Sequence, residues 1–341
     1  MEVGMSIMVT GATGFIGAGL VRILIERGED HVVACHLNPA KKNLDDLGDR
    51  VSLILGDLGN FSHVLEAVGR HRPRIIYHLG AMLTALSDGD PPAAFHANVA
   101  GIFHILEAAR LFEVEQVLFA SSIGTYGYDV RDKVIDDYTL QRPFTMYGAG
   151  KLFGESLGLY YKERYGVDFR SLRYPGIFGP GFRSPSLAQA FSLMVEESVM
   201  GRPYTLRMAP DVKHPLLYYK DAALAMIKLA QAPKADLKMV CYLLNGVEPA
   251  LTAQEMVDMI KVRVPEARLA FDPDPKLSQI YYDMKPFDDH CARKDWGWEP
   301  EFDHEASMDD FISELQQHPE RYDKSVCPFT VFKGRNTASS A

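Results

Sequence analysis

Apolar and polar positions follow one another, up to about residue 180, in an order that predicts strands and helices in turn. Short β-rich apolar runs predict strands at residues 6–10, 31–35, 51–55, 75–78, 116–120 and 169–174. Between them, apolar positions recur at helical spacing and predict helices at residues 18–27, 62–68, 92–111 and 147–165. This alternation is typical of a parallel sheet covered by helices on both faces, with ligands at the carboxyl ends of the strands.

A glycine turn joins the first predicted strand to the first predicted helix. Gly11, Gly14 and Gly17 follow the apolar run at regular intervals of three residues. Glycine lets the backbone approach a pyrophosphate closely, and the free N–H groups of a helix start bind an anion. Because this triad follows a predicted strand and opens a predicted helix, it predicts dinucleotide binding.

Beyond residue 180 the alternation loosens, after a break at 179–181. Helices are predicted at residues 186–201, 220–231 and 252–262, with a strand at 240–244 that can rejoin the sheet. We therefore predict an α/β protein, a doubly wound parallel Rossmann sheet with a smaller α+β substrate-binding lobe. The predicted parts are a dinucleotide-binding domain at 1–178 that also receives part of 212–246, a substrate lobe at 179–330 and a flexible tail at 331–341.

A tyrosine and a lysine share one face of the helix predicted at 147–165. Tyr147 and Lys151 are spaced one helical turn apart. A cation held there favours phenolate, so we expect the pKa of Tyr147 to be lowered and Tyr147 to act as general acid or base. Ser121 and Ser122 end a predicted strand upstream. With the pair in place, we expect Ser122 to be catalytic and Ser121 to be structural.

Composition excludes several function classes. A net charge of −9, with no lysine or arginine run, argues against a nucleic-acid surface. No apolar stretch reaches the ~20 residues of a membrane span, and the N-terminus lacks a signal-peptide pattern. The four cysteines have neither paired nor zinc-type spacing, which is typical of reduced thiols and predicts a cytoplasmic protein. Asp288 and Asp289 precede a predicted helix start, where they serve as caps, so we expect no metal.

With these motifs in hand, the chain resembles the extended short-chain dehydrogenase/reductases, the NAD-dependent epimerase/dehydratase family, over nearly its full length. Within them it is most similar to the short-chain type of L-threonine 3-dehydrogenase, a group related to UDP-galactose 4-epimerase. The segments that carry the resemblance are residues 10–17, 56–58, 78–85, 98–101, 121–122, the Tyr147/Lys151 pair, 173–177 and 288–298.

The resemblance implies a role for each matching position. Ser122 would bind the reacting oxygen, Tyr147 would exchange its proton, and Lys151 would hold the nicotinamide ribose. The implied cofactor-binding residues are Gly11, Thr13, Gly14, Phe15, Ile16, Gly17, His36, Asn38, Asp57, Leu58, Leu79, Gly80, Ala81, Asn98, Tyr147, Lys151, Tyr174, Gly176 and Ile177. The implied substrate-binding residues are Thr84, Ser122, Tyr147, Arg183 and Ser184, the last two on a loop that is free to close over the site.

Three departures from the family pattern concern specificity. His36 stands where NAD-binding relatives usually carry an acidic residue, and Lys41 and Lys42 follow, so NAD is expected while NADP stays open. Residues 181–186 lack the paired threonines of threonine dehydrogenases, and Met284 stands in the stretch where a tryptophan is expected. We therefore expect L-threonine to be a poor substrate, with a bulkier or more acidic hydroxy acid preferred and Arg183 pairing with its carboxylate.

The resemblance implies oxidation of the secondary alcohol of a small β-hydroxy amino acid or hydroxy acid. The alternative is a nucleotide-sugar 4-epimerase with tightly held NAD, although such epimerases usually carry asparagine where Gly176 stands. A sugar-nucleotide dehydratase needs a further acid–base pair, which Ile123 and Gly124 do not supply. A non-catalytic NAD(P)-sensing regulator would be free to lose the triad, which is intact here.

A homodimer is expected through the helices predicted at 92–111 and 147–165, as in similar proteins. Their apolar residues exceed what one sheet face covers; they are Phe95, Ile102, Phe103, Ile105, Leu106, Leu152, Phe153, Leu157, Leu159, Tyr160 and Tyr161. The alternative is that all of these side chains pack in the monomer's own core.

Overall fold

The computed structural model describes residues 6–37 and 43–322. Within these ranges the strands are β1 Ile7–Thr10, β2 Val32–His36, β3 Val51–Leu55, β4 Ile75–His78, β5 Gln116–Ser122, β6 Asp168–Tyr174, β7 Gly176–Phe178, β8 Tyr204–Leu206, β9 Leu216–Tyr218, β10 Cys241–Leu243 and β11 Leu269–Phe271. The α-helices are α1 Phe15–Glu26, α2 Phe61–His71, α3 Thr84–Gly89, α4 Pro91–Ala94, α5 Gly101–Leu111, α6 Met146–Tyr165, α7 Gln189–Val199, α8 Tyr219–Gln231, α9 Ala253–Arg263, α10 Pro275–Asp283, α11 His290–Trp296 and α12 His304–Gln317.

Seven parallel strands form the central sheet in the order β10-β6-β5-β4-β1-β2-β3. Side chains on successive strand positions point to opposite faces of the sheet. Each face of the sheet packs against helices and forms its own hydrophobic core. In β1, Ile7 and Val9 belong to the core that includes α1 and α8, whereas Met8 belongs to the core that includes α2 and α5. The predicted doubly wound α/β fold is confirmed.

The strand predicted at 240–244 is β10, which pairs in parallel with β6 at the sheet edge, Cys241 opposite Ser171. The helix predicted at 92–111 is less regular than expected. After α4 the chain forms a π-helical turn, Phe95–Ala100, before α5. This turn buries Asn98, and such turns are frequent at functional sites.

The second half adds two small parallel pairs, β7 with β9 and β8 with β11, and the helices from α7 onward. The chain enters this half after β7 and returns to the sheet through α8 and β10. Trp298 is fully buried in the core that this half shares with the sheet. The domain division stays a prediction, and the predicted tail at 331–341 lies outside the described residues.

Candidate active site

The glycine turn connects β1 to α1 through a very close backbone packing. Gly11 has φ +68°, and a Cβ there would lie 2.8 Å from the Gly80 nitrogen. A Cβ on Gly17 would lie 2.1 Å from the Gly11 carbonyl oxygen, so only glycine fits. Gly14 caps α1 without any side-chain hydrogen bond, which leaves the first-turn N–H groups facing a ligand. Thr13 is buried in the turn, and its carbonyl accepts a hydrogen bond from Asn43 at 2.8 Å.

The ends of β1 and β4 are joined beside this turn. The Thr10 hydroxyl accepts the Gly80 N–H at 3.1 Å and lies 2.8 Å from His78 Nδ1. The Leu79 N–H donates to the Thr10 carbonyl at 3.3 Å. Leu58 closes the other side, because a Cβ on Gly80 would lie 2.6 Å from its Cδ1. The predicted residues Leu58, Leu79 and Gly80 are therefore brought together against the glycine turn.

Asn98 fixes the segment that follows β4. Its Oδ1 accepts the Met82 N–H at 2.8 Å and its Nδ2 donates to the Met82 carbonyl at 2.9 Å. Both amide atoms are thus used by the backbone that follows Ala81, so Asn98 supports the cofactor side of the site through that loop. Thr84 begins α3 two residues later, and its hydroxyl makes no hydrogen bond within the described residues.

The predicted catalytic residues meet at the carboxyl end of β5. Ser122 pairs with Tyr174 of β6, and its Oγ accepts the Gly124 N–H at 3.0 Å. The Ser122 hydroxyl and the Tyr147 ring both border Gly124, where a Cβ would lie 3.4 Å from Ser122 Oγ and 3.5 Å from the Tyr147 ring. Lys151, one turn along α6, is buried; its Nζ donates to the Ala120 carbonyl at 2.6 Å and lies 5.5 Å from the centre of the Tyr147 ring.

The electrostatics of this pair differ from the expectation. Burial raises the pKa of Tyr147 to about 12, and the neighbouring Ser122 hydroxyl opposes that rise only in part. Burial also lowers the pKa of Lys151 to about 7, against the attraction of Glu155. The expected lowering of the Tyr147 pKa by the lysine was wrong for the residues of the chain alone, because desolvation is the larger effect. At neutral pH these residues hold Tyr147 as a phenol.

A buried ionic network lies beneath the catalytic helix. The Glu155 carboxylate accepts the Ser121 hydroxyl at 2.5 Å and the Arg173 guanidinium at 2.8 Å from Nη2 and 3.0 Å from Nε. Ser121 is structural, as expected. The sequence analysis did not predict a role for Glu155 or Arg173. Glu155 could have been found, because it lies four residues after Lys151, as Lys151 does after Tyr147.

Gly176 and His214 pack together as a wall just beyond the end of β6, the strand that pairs with β5. Gly176 begins β7 directly after the strand that pairs with β5, and a Cβ there would lie 2.3 Å from His214 Nε2. His214 is 4% exposed, and its ring stacks on Phe191 with centroids 5.8 Å apart. Its Nδ1 lies 3.2 Å from the Met284 sulfur. Met284 is the residue that stands in the stretch of the expected tryptophan.

The loop after the 179–181 break packs onto the glycine turn rather than standing free. Phe182 stacks on Phe15, with ring centroids 4.9 Å apart. Arg183 Nη1 donates hydrogen bonds to both carboxylate oxygens of the buried Glu196, at 2.8 and 2.7 Å. Its Nη2 donates to the Tyr322 carbonyl at 3.0 Å. The charge of Arg183 is thus already paired with Glu196, and its predicted substrate role stays a prediction. Ser184 has a buried hydroxyl without a partner among the described residues, so it stays a candidate.

Two predicted cofactor positions, His36 and Asp57, lie at the ends of β2 and β3. His36 ends β2, and its Nε2 is buried without a partner among the described residues. Asp57 Oδ1 accepts the Gly59 N–H at 2.8 Å, which shapes the loop after β3. Asn38, Lys41 and Lys42 lie outside the described residues.

Two further positions follow β6. The Tyr174 hydroxyl donates to the Ala222 carbonyl at 2.6 Å, so its side chain is fixed in the core. Ile177 lies within β7 and is buried.

Across residues 6–37 and 43–322 no group of three or more His, Cys, Asp or Glu side chains is arranged to hold a metal ion. In that part of the chain no helix has the length and apolarity to cross a bilayer. Asp288 accepts the His290 N–H at 2.9 Å at the start of α11, and Asp289 pairs with Arg293 at 2.7 Å.

Comparison with known proteins decides the family. A profile of the NAD dependent epimerase/dehydratase family matches residues 7–242, more than half of the chain. The chain belongs to this family. It is 30% identical over 301 residues to the mitochondrial L-threonine 3-dehydrogenase of Bos taurus, covering 87% of this chain and 79% of that protein.

Two solved structures show the same similarity. An L-threonine dehydrogenase from Phytophthora infestans has a TM-score of 0.81 at 30% identity, covering 92% of this chain and 99% of that one. A monomeric L-threonine 3-dehydrogenase from a metagenome, in its apo form, has a TM-score of 0.80 at 28% identity, covering 91% and 99%. The family resemblance that the motifs indicated is confirmed.

Membership in the family makes this an NAD-dependent enzyme, and the residues present fit that coenzyme. The cradle formed by Gly11, Gly14 and Gly17 excludes side chains, and the uncapped start of α1 offers N–H groups for a pyrophosphate. At the other end, Lys151 and Tyr147 lie at the carboxyl edge of the sheet. This is the edge where doubly wound sheets bind dinucleotides.

Proposed function

We propose that the protein oxidises the secondary alcohol of a small β-hydroxy amino acid or hydroxy acid with NAD, as the L-threonine 3-dehydrogenases to which it is similar do. One observation carries the proposal: Ser122, Tyr147 and the buried Lys151 meet at the sheet edge that also carries the glycine turn. An acid–base group beside a dinucleotide site is what alcohol oxidation requires.

The chain's own residues then have the following roles. Gly11, Gly14 and Gly17 hold the pyrophosphate, and NAD when bound supplies the acceptor for the substrate's hydride. In the oxidation Tyr147 acts from its phenolate form, which takes up the hydroxyl proton at its oxygen, and in the reverse reduction the phenol returns that proton. Because Ser122 Oγ already accepts the Gly124 N–H, its own proton is free to bind the developing carbonyl oxygen.

The position of Lys151 supports a role for it in the proton transfer. When its ammonium is charged, it lies on the same helix face as Tyr147 and stabilises the phenolate. The Ala120 carbonyl holds the ammonium in place, at the end of the strand that carries Ser122. We propose that the same ammonium binds the nicotinamide ribose.

The 4-epimerase alternative is disfavoured by the wall beside the triad. An asparagine in place of Gly176 would have to enter the space of the His214 ring, since even a Cβ there lies 2.3 Å from Nε2. A nucleotide-sugar contact from that position is therefore blocked in this chain. The neutralised Arg183 likewise removes the reason to expect an acidic substrate.

A substrate screen tests the proposal. L-threonine, related β-hydroxy acids and UDP-galactose are each incubated with NAD or NADP, and absorbance is followed at the reduced-nicotinamide band. We expect a hydroxy amino acid or hydroxy acid to reduce the coenzyme, with NAD preferred over NADP. Interconversion of UDP-galactose and UDP-glucose without turnover of any hydroxy acid would overturn the assignment in favour of an epimerase.

We also propose that the protein forms a homodimer through α5 and α6 in the cytoplasm. Part of the predicted interface supports this, because five large apolar side chains on or next to these helices are exposed: Phe95 at 51%, Phe103 at 41%, Phe153 at 42%, Leu159 at 45% and Tyr160 at 50%. Four other members of the predicted set, Ile102, Ile105, Leu106 and Tyr161, are buried in the monomer core and argue for the alternative, while Leu152 and Leu157 are half-buried. One similar enzyme is described as monomeric.

A further inference from the structure

His214 has an imidazole whose two nitrogens face different surroundings. Nδ1 lies 3.2 Å from the sulfur of Met284. A thioether sulfur only accepts hydrogen bonds, so this contact favours the tautomer with the proton on Nδ1. Nε2 is then left with a lone pair, and within the described residues it has no hydrogen-bond partner. His214 therefore presents, at Nε2, an acceptor that no hydrogen bond among the described residues uses.

The position of that acceptor is set by Gly176. A Cβ on Gly176 would lie 2.3 Å from Nε2, so the imidazole edge occupies the space beside this backbone. Gly176 follows Tyr174 by two residues, and Tyr174 is the strand partner of Ser122. Phe191 and Tyr281 pack on the ring with centroids 5.8 and 5.7 Å away, which holds the imidazole in place. The acceptor thus lies on the wall adjoining the triad.

Charge decides what such an acceptor binds. Burial lowers the pKa of His214 to about 4, so the ring is neutral at neutral pH. A neutral lone pair in a buried wall does not bind a carboxylate, which is itself an acceptor, but it does bind a cationic donor. In the proposed substrate class, the ammonium group next to the alcohol carbon is such a donor.

We propose that His214 is a specificity-determining residue that accepts, through Nε2, a hydrogen bond from the substrate's α-ammonium group. The inference rests on the proposed function and sharpens it. It selects β-hydroxy amino acids over β-hydroxy acids that lack the amine. The Met284 sulfur orients the imidazole for this task by holding the proton on Nδ1.

Paired substrates test the proposal. His214→Leu is compared with the wild type on L-threonine and on 3-hydroxybutyrate, which lacks the amine, with NAD. We expect kcat/KM on L-threonine to fall about 10- to 100-fold, mainly through KM, as for loss of a hydrogen bond to a charged group. Turnover of 3-hydroxybutyrate is expected to change less than threefold, and His214→Asn, which keeps an acceptor, to recover part of the loss. The exposed His31→Leu is the matched control and is expected to change neither.

Equal losses on both substrates, or no loss on either, would overturn the proposal. A binding experiment separates it from failure of the proposed function. Calorimetry with the NAD-loaded protein compares L-2-aminobutyrate with butyrate, neither of which carries the reacting hydroxyl. The wild type could turn over neither substrate and still bind L-2-aminobutyrate more tightly than butyrate. If His214→Leu abolishes that preference, the result supports the proposal. Absence of that selectivity in the wild type would refute it. NAD affinity, unchanged in each variant, reports that the fold is intact.

Discussion

Glu155 and Arg173 form a buried ion pair, in which the carboxylate accepts hydrogen bonds from Arg173 Nη2 at 2.8 Å and from Nε at 3.0 Å. Glu155 lies one helical turn after Lys151 on α6, and Arg173 precedes Tyr174 on β6. The pair therefore ties the helix that carries the proposed acid–base residues to the strand beside Ser122. Its members are 4% and 6% exposed, so their charges depend on each other rather than on water.

Removing one member of this pair is expected to destabilise the protein strongly. Glu155→Gln leaves the Arg173 charge buried without its partner, which costs about 3–5 kcal/mol in free energy of unfolding. Glu163→Gln, on the exposed face of the same helix, is the control and is expected to cost less than about 0.5 kcal/mol. Urea denaturation measures both. A loss below about 1 kcal/mol in Glu155→Gln would show that the pair is not needed to hold α6 on β6.

The glycine turn predicts a sharp effect on coenzyme binding. In Gly17→Ala the new methyl group would lie 2.1 Å from the Gly11 carbonyl oxygen, so the turn must open. We expect NAD affinity to fall at least about tenfold, which corresponds to about 1.4 kcal/mol. Gly89→Ala is the matched control, since nothing lies within 4 Å of its Cβ. Equal NAD affinity in both variants, measured by calorimetry, would argue against pyrophosphate binding at this turn.

Burial of Lys151 is expected to appear in the pH dependence of stability. Because its pKa in the folded protein, about 7, lies below the ordinary 10.5, the unfolded chain binds more protons between these values. The free energy of unfolding therefore rises with pH in that window, by at most about 1.4 kcal/mol per pH unit. Tyr147 does not interfere, since its raised pKa acts only above its ordinary value of 10.0.

Lys151→Met removes this dependence. From pH 7 to pH 9, the stability of the wild type relative to Lys151→Met is expected to increase by about 1–2 kcal/mol. Lys261→Met, on the exposed surface of α9, is expected to run parallel to the wild type. Parallel curves for the wild type and Lys151→Met would contradict the burial of a titrating ammonium.

The proposed dimer is tested by mass in solution. A charge at an exposed apolar position of the interface, Phe103→Glu, is expected to convert the dimer to a monomer of 38.1 kDa. Val262→Glu, which is 79% exposed on α9, is the control and is expected to leave the dimer intact. A wild-type mass near the monomer value at all concentrations, by light scattering, would refute the dimer and leave the apolar faces of α5 and α6 exposed.

Much of the fold and of the proposed site was predictable because it depends on local patterns. Three local patterns were sufficient for this. The apolar run at 6–10 specifies a strand, the glycines specify the turn after it, and the i, i+4 spacing places Tyr147 and Lys151 on one helix face. The direction of the Tyr147 pKa was missed because desolvation depends on the whole core, not on a neighbour one turn away.

The ion pair of Arg183 was not predictable for a similar reason. Its partner Glu196 lies on α7 and is fully buried, so no composition or spacing argument reveals that the charge is already paired. His214 meets Gly176 only because β9 pairs with β7, a contact between residues far apart in sequence.

The central claim is that Tyr147 exchanges the substrate proton in an NAD-dependent oxidation, and Tyr147→Phe tests it most directly. The variant keeps the ring and its packing but removes the titrating oxygen. Single-turnover reduction of bound NAD is measured with the best substrate of the screen, beside Tyr165→Phe at the far end of α6 as the control. We predict a loss of about 10²- to 10⁴-fold in the rate for Tyr147→Phe, with NAD affinity and the control unchanged. A rate within threefold of the wild type would contradict the account.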